Sequence, residues 1–434
     1  MGDACRAASG RYPMKISMFH LMPHRELPDD FEERYHSVWV DPPFHELATP
    51  ERVGDYYNWT LDELMHAADL GFDGICVNEH HQNAYGFMPG PNVMGGALAR
   101  ATRGQDVALV QMGATLPTTN PPIRIAEEYA MLDCISGGRL VAGMPLGTAM
   151  DANMGYGITP IEQRERYYEA HDLILKAWQS RKPFPFNGKY TQLPMVNLWP
   201  RPVQQPHPPV WVPGMGSLST WEFAADQGHC YCFLSYFGHA RGKAVMDSFW
   251  EFMDSKEKEL NPYRAGFLQL VAVSETDAQA EKDYEKHIKY FFEKCLHIAP
   301  EFTPPGHQDY RSLENNLRRM LSQQMSEQQR LSDWSFKDYV DNQYVISGGP
   351  ESVRDQLEEL IKSLRVGNLM LLLQIGSMPH ELAMKNIELM ATEVIPHIRH
   401  HWRDEWENHW WPESLRGRRQ MNPEAGVAAV AGGS

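Results

Sequence analysis

Ile75-Cys76-Val77-Asn78 runs directly into Glu79-His80-His81, and the apolar run Val107 to Leu116 follows one crossover later. A buried strand that ends in a carboxylate and two imidazoles is what a parallel barrel displays at its mouth, where the C-terminal ends of the strands carry the chemistry. The order strand, loop, helix, turn, next strand continues through Met112-Gly113-Ala114-Thr115-Leu116-Pro117, Asn120-Pro121-Pro122-Ile123-Arg124, Ala126-Glu127-Glu128, Leu132-Asp133 and Ser136-Gly137-Gly138-Arg139-Leu140. This stretch reads as one half of an eightfold β/α barrel.

Outward from it, apolar runs of strand character recur at Lys15 to Leu21, Gly74 to Glu79, Val107 to Leu116, Arg139 to Pro145, Pro209 to Pro213, His229 to Ser235, Phe267 to Val273 and Asn368 to Gln374. Helical spacing lies between most of them: Leu61, Leu64, Met65 and Ala68; Ala126, Tyr129 and Ala130; Ala170, Leu173, Ile174 and Ala177. Near-continuous apolar strands alternating with amphipathic helices are the mark of a parallel sheet covered by helices. The expected fold is α/β, a (β/α)8 TIM barrel over residues 14–399 with a long helical insertion, about residues 275–345, between strands 7 and 8. Insertions of this length on a barrel's C-terminal face act as lids or substrate walls. From His400 the composition changes to Trp402, Trp406, Trp410 and Trp411 among His, Arg and Glu. Residues 400–434 are expected to form a Trp-rich C-terminal extension that packs on another surface, with a disordered end.

The balance of 40 basic against 56 acidic residues gives a formal net charge of -16. That charge repels nucleic acid and anionic membrane surfaces, so a phosphate-bearing ligand needs a local, preformed anion site. The six cysteines lack zinc-like pairing, and the first residues lack an apolar signal segment. Reduced thiols in a cytoplasmic protein without a membrane span are expected.

Several residues could carry chemistry. His80 beside Glu79 at a strand's end can hold or relay a proton near neutral pH, although an isolated histidine is more often structural. Glu79-His80-His81 lacks an evident third metal ligand, and neighbouring strand positions diverge, so no metal is expected there. Pro213-Gly214-Met215-Gly216-Ser217-Leu218-Ser219-Thr220 joins an apolar strand to a helical run, where backbone N–H groups and hydroxyls suit an anion. The plainer reading is an ordinary helix start capped by Ser219 or Thr220. Arg164 lies near the start of a helix, where a cation opposes the dipole; a ligand phosphate or an ion pair with Glu162 or Glu165 would explain it.

Glu79-His80-His81, the Asn120 to Arg139 block, Gly155-Tyr156-Gly157 with Arg164, and Gly216-Ser217 with Thr220 together resemble the bacterial luciferase-like flavin-dependent monooxygenases. The similarity runs from about Met14 to Arg399, and Pro117 to Gly143 is its most specific part. It implies a barrel that takes reduced FMN (FMNH2) from a separate flavin reductase and oxygenates a hydrophobic small organic substrate with O2 through a flavin 4a-hydroperoxide. By the same resemblance His80 is the active-site histidine and Glu79 its neighbouring carboxylate. Ala114-Thr115 falls where related barrels hold a non-proline cis peptide against the flavin. Arg164 matches a phosphate-binding arginine, and Gly216, Ser217 and Thr220 the phosphate cradle. Pro145 and Leu146 occupy cofactor positions where luciferase has a cysteine and then an arginine, a departure that weighs against light emission.

The resemblance also implies a homodimer. Two other readings stand beside it: a deazaflavin-dependent oxidoreductase of the same superfamily, which transfers hydride and needs neither O2 nor a reductase, and a non-catalytic flavin-binding barrel.

Overall fold

The computed structural model of the chain describes residues 13–416 apart from 148–149, 235, 300–301, 303–330, 332 and 404. Its strands are β1 (Lys15–His20), β2 (Gly74–Val77), β3 (Ala108–Gln111), β4 (Leu140–Gly143), β5 (Phe184–Asn187), β6 (Gln192–Val196), β7 (Val210–Gly214), β8 (Cys230–Phe233), β9 (Ala265–Val273), β10 (Val345–Gly348) and β11 (Asn368–Leu372). Eight of them, β1, β2, β3, β4, β7, β8, β9 and β11, pair in parallel in that order, and β11 returns to β1 through Lys15↔Asn368. The ring is a closed (β/α)8 barrel, so no strand in it is left with an unpaired edge.

The two-residue alternation of each strand divides the core. Ile16, Met18, Ile75, Val77, Leu109, Leu140, Val210 and Val212 pack with the helices. Phe19, Cys76, Ala108, Val110, Val141, Trp211, Cys230, Cys232, Leu268 and Met370 fill the barrel interior. Each fully buried large apolar side chain contributes about 1.5–3 kcal/mol. The outer face reads as helix because its punctuation is strong. Thr49 caps the helix Pro50–Asp69 by accepting from the Arg52 N–H, with Pro50 in its first turn. The helix Ile123–Ser136 stops at Gly137, whose φ of 72° is a left-handed conformation that favours glycine.

Three features depart from the sequence reading. β10 is a ninth strand: β9 outlasts β8, whose last pair is Phe233↔Phe267, and β10 fills the vacant edge from Val345↔Leu270 to Gly348↔Val273. β5 and β6 form an antiparallel hairpin outside the barrel. The run Val107 to Leu116 is only partly strand, because the chain leaves the sheet after Gln111 and turns through Gly113 and Ala114 into a short 3-10 turn, Leu116–Thr118.

The insertion opens with the helix Asp277–Tyr290 and a π-turn, Phe291–Cys295, and closes with the helix Phe336–Asp341. Much of the segment expected to form the cover, 303–330, lies outside the described residues, as does the end of the chain expected to be disordered. The described part of the insertion leans on the loop after β1. Tyr290 donates to the His24 carbonyl at 2.7 Å, Lys294 donates to the Pro28 carbonyl at 2.6 Å, and the Val38 N–H donates to the His297 carbonyl at 2.7 Å.

The Trp-rich extension turns back under the barrel's N-terminal end. The Trp211 indole donates to the Trp410 carbonyl at 2.9 Å, and the Trp410 indole donates to the Gly228 carbonyl at 2.8 Å. Trp411 is buried beneath the strands, and a Cβ on Gly74 would lie 3.1 Å from its ring. No helix among the described residues is long and apolar enough to cross a membrane.

Candidate active site

β2 ends at Val77, so Glu79, His80 and His81 leave the pleat before strand alternation can send them to opposite faces. The two histidines then take different carboxylates. His80 Nδ1 lies 3.1 Å from Asp151 Oδ2, and His81 Nε2 lies 2.7 Å from Glu79 Oε1. Glu79, expected to serve His80, thus serves His81, and the partner of His80 is a residue 71 positions away. A carboxylate only accepts hydrogen bonds, so each contacting nitrogen is the protonated one. Nδ1 of His80 is therefore committed to Asp151, and Nε2 is the nitrogen available for proton transfer.

Asp151 is nearly sealed, with a side-chain exposure of 2%, whereas His80 is 19% exposed. Burial pushes the Asp151 carboxyl up, but the His80 contact and the backbone N–H groups of His81 and Ala152 outweigh it, so the carboxyl lies below its ordinary range. It is an anion throughout the neutral range. Asn83 also donates to Oδ2, at 2.9 Å, and fixes the carboxylate from a third side.

The other half of the site is a chain of contacts. The second oxygen of Glu79 accepts from the Thr115 N–H. The Tyr156 hydroxyl lies 3.2 Å from His81 Nδ1, and burial first, then Glu79, pushes its pKa up. Ala114 adopts φ 64°, a left-handed conformation rare outside glycine. The Ala114–Thr115 peptide is not cis: among the described residues the cis bonds are Asn120–Pro121, Trp199–Pro200 and Gln205–Pro206. The backbone irregularity expected at this loop is therefore a left-handed residue held by Glu79. A Cβ on Gly147 would lie 2.6 Å from Thr115 Cγ2, so the loop after β4 lies directly against this turn. Pro145 and Leu146 sit in that loop, and Gln163 donates to the carbonyls of Leu146 at 2.8 Å and Gly147 at 2.6 Å.

Arg164 follows Gln163 in the helix Pro160–Gln179. Its expected ion-pair partners are engaged elsewhere, Glu162 with Arg166 at 2.9 Å and Glu165 with Lys189 at 2.6 Å. Its Nη2 reaches Ser217 Oγ at 3.4 Å. Ser217, rather than Ser219 or Thr220, caps the helix Leu218–Gln227, accepting from the Thr220 N–H at 3.4 Å. Thr220 Oγ1 lies 3.3 Å from Ser217 Oγ, and Gly216 precedes them with φ 98°. A guanidinium, two hydroxyls and a helix N-terminus thus converge after the fifth barrel strand, a donor set suited to a phosphate.

An aromatic wall stands next to His80. Tyr85 meets its ring edge-on at 4.6 Å between centroids, and Trp39, Tyr236 and Phe291 continue from Tyr85 at 5.8, 6.2 and, from Tyr236, 5.3 Å. The sequence reading did not single out Asp151, Asn83, Tyr85 or Gln163. Only an acid shortly after the fourth strand hinted at Asp151, and nothing local marked it.

Residues 38–366 match the family model of luciferase-like monooxygenases, and the chain belongs to that family. It is 30% identical over 239 residues to the oxygenase component of a flavin-dependent trigonelline monooxygenase of Acinetobacter baylyi, covering 53% of this chain and 64% of that one. The match thus spans less than two thirds of that relative. It is 23% identical to 2,5-diketocamphane 1,2-monooxygenase 2 of Pseudomonas putida, over 79% of this chain and 94% of that one. Among solved structures, the FMN complex of the oxygenating constituent of 3,6-diketocamphane monooxygenase from Pseudomonas putida superposes with a TM-score of 0.65, 19% identity and coverage of 89% and 99%. The coenzyme F420-dependent tetrahydromethanopterin reductase of Methanopyrus kandleri superposes at 0.58 with 18% identity, over 89% of this chain and 99% of that one.

Proposed function

We propose that this protein is the oxygenase component of a two-component flavin monooxygenase, taking reduced FMN from a separate reductase and using O2 to oxygenate a hydrophobic small organic substrate. The observation that carries this reading is the pairing of a His80–Asp151 dyad at the mouth with the Arg164, Ser217 and Thr220 cradle. The cradle fits a phosphate monoester because its donors include one full positive charge, and among the described residues Glu162 and Glu165, the acids nearest Arg164 in sequence, are paired with Arg166 and Lys189. Gly113 and Gly147 permit close approach to the turn that would meet the ring, since a Cβ on either would collide with a neighbouring side chain.

Reduced FMN, when bound, supplies the electron pair with which one oxygen atom of O2 enters the substrate and the other leaves as water. The chain's own part is to bind, orient, exclude water and move protons. Arg164, Ser217 and Thr220 anchor the phosphate. Glu79 holds Thr115 and with it the left-handed turn at Ala114. His80 Nε2 delivers or receives a proton, and Asp151 is a positioning residue that fixes the tautomer. Trp39, Tyr85, Tyr236 and Phe291 keep water from the dyad and favour an apolar substrate. A homodimer in the cytoplasm completes the proposal.

The likeness to an F420-dependent reductase keeps hydride transfer as the second reading. Anaerobic titration with FMNH2 followed by rapid mixing with O2 separates the two. The expected result is tight binding and a return of oxidised-flavin absorbance that lags behind free FMNH2. Reoxidation indistinguishable from free FMNH2 overturns the monooxygenase reading, and reduction by F420H2 of an organic acceptor without O2 uptake replaces it with the second.

A further inference from the structure

At the end of the molecule remote from the mouth, the helix Pro350–Leu364 runs beside the point where the extension begins. One carboxylate oxygen of Glu358 and one imidazole nitrogen each of His400 and His401 lie within 4.8 Å of one another. The two imidazole rings are 4.3 Å apart between centroids and tilted by only 31°, so they face the same side of the chain. Nε2 of His401 is buried and has no hydrogen-bond partner among the described residues. A buried polar nitrogen left unpaired carries a desolvation cost that a bound ligand would recover.

We propose that Glu358, His400 and His401 form a binding site for a divalent cation of the zinc class, which clamps the C-terminal extension to the helix Pro350–Leu364. Two imidazole nitrogens and one carboxylate suit zinc, nickel or copper(II) and not calcium or magnesium, which take oxygen donors. Three protein ligands leave a fourth position for water. The nitrogens must be unprotonated to bind, so zinc affinity falls at acid pH. The competing group is Lys362, whose ammonium lies 2.7 Å from Glu358 Oε2. That pair is largely exposed and contributes little, so a cation displaces it at small cost. The location gives such a clamp its purpose. The backbone carbonyl of His401 accepts from the Met14 N–H at 3.2 Å, which places the site where the entry to β1, the helix before β11 and the extension meet.

The test uses the full chain freed of metal with a chelator and titrated with zinc sulfate by calorimetry, with cobalt(II) absorption as a second signal. Wild type should bind zinc, melt at a higher temperature with it, and give visible d–d bands with cobalt. Glu358→Gln and His400→Gln should each weaken binding by about tenfold or more, a loss seen even for outer-shell partners of a metal. Both substitutions lie at the surface or half-buried, so circular dichroism should be unchanged. Zinc held instead by Glu79, His80 and His81 would be insensitive to either substitution. Equal affinity in wild type and variants, or no heat of binding in wild type, overturns the proposal.

Discussion

At the mouth of the barrel Asp151 is sealed while its partner His80 keeps a side-chain exposure of 19%. At the opposite end Lys15, Asp73 and Arg399 are all sealed, at 1%, 6% and 8%. Asp73 takes Arg399 at 3.2 Å, Lys15 at 3.8 Å and the Ile16 N–H at 3.1 Å, so its charge is fully compensated. Trp411 covers Lys15 and packs against Trp211 with 5.9 Å between ring centroids. Both ends pair buried charges, but at the mouth His80 stays partly open, and in the proposed mechanism its Nε2 is the atom that exchanges a proton. A buried pair that is covered on all sides is costly to break once made, whereas a pair that is open on one side can also present a positioned proton.

His80→Ala sharpens this contrast most. Product formation should fall by about 10²–10⁴-fold, the usual worth of a general acid or base, with the circular dichroism of the folded barrel retained and only a modest fall in melting temperature from the lost Asp151 contact. Turnover at the wild-type rate would remove His80 from the chemistry. Trp411→Ala should do the reverse. Urea denaturation should report a loss of about 3–5 kcal/mol, as for other large-to-small changes in a core, while the folded fraction keeps its turnover. A comparable loss of turnover per folded molecule would show that the two ends are coupled.

Smaller effects belong to the cradle and to pH. Arg164→Ala should weaken reduced-FMN binding by about 1.5–3 kcal/mol, the worth of a charged hydrogen bond, with little change in stability. Unchanged affinity in a direct titration would place the phosphate elsewhere. The smallest effect follows from the lowered Asp151 carboxyl. Its contribution to stability is fully present above the unfolded value of about 3.9 and is lost as pH falls through the lowered folded value. Asp151→Asn should therefore flatten the acid limb of a stability profile, and an unaltered limb would mean that the His80 contact is not formed in solution.

Much of the barrel was legible because its strands are short apolar runs bounded by turn residues, and each of the eight runs overlaps a barrel strand. His80 and Glu79 were legible for the same reason, as polar groups where such a run stops. β10 was not, since Val345-Ile346-Ser347-Gly348 carries too short a pattern, and it becomes a strand only because β9 is longer than β8. The family's phosphate signature marked Arg164 and Ser217, yet whether Arg164 pairs with Glu162 or reaches Ser217 depends on what Arg166 and Lys189 occupy.

The sequence by itself determined the alternation of strand and helix, the residues at each strand's end and the family, because these follow from local periodicity and spacing. Only the tertiary structure decided that Asp151 and not Glu79 serves His80, that Ala114 turns left-handed under the hold of Glu79, and that the tryptophans after His400 close the chain's own barrel. Each of those depends on groups brought together by barrel closure across tens to hundreds of residues, and no local pattern encodes which distant partner arrives.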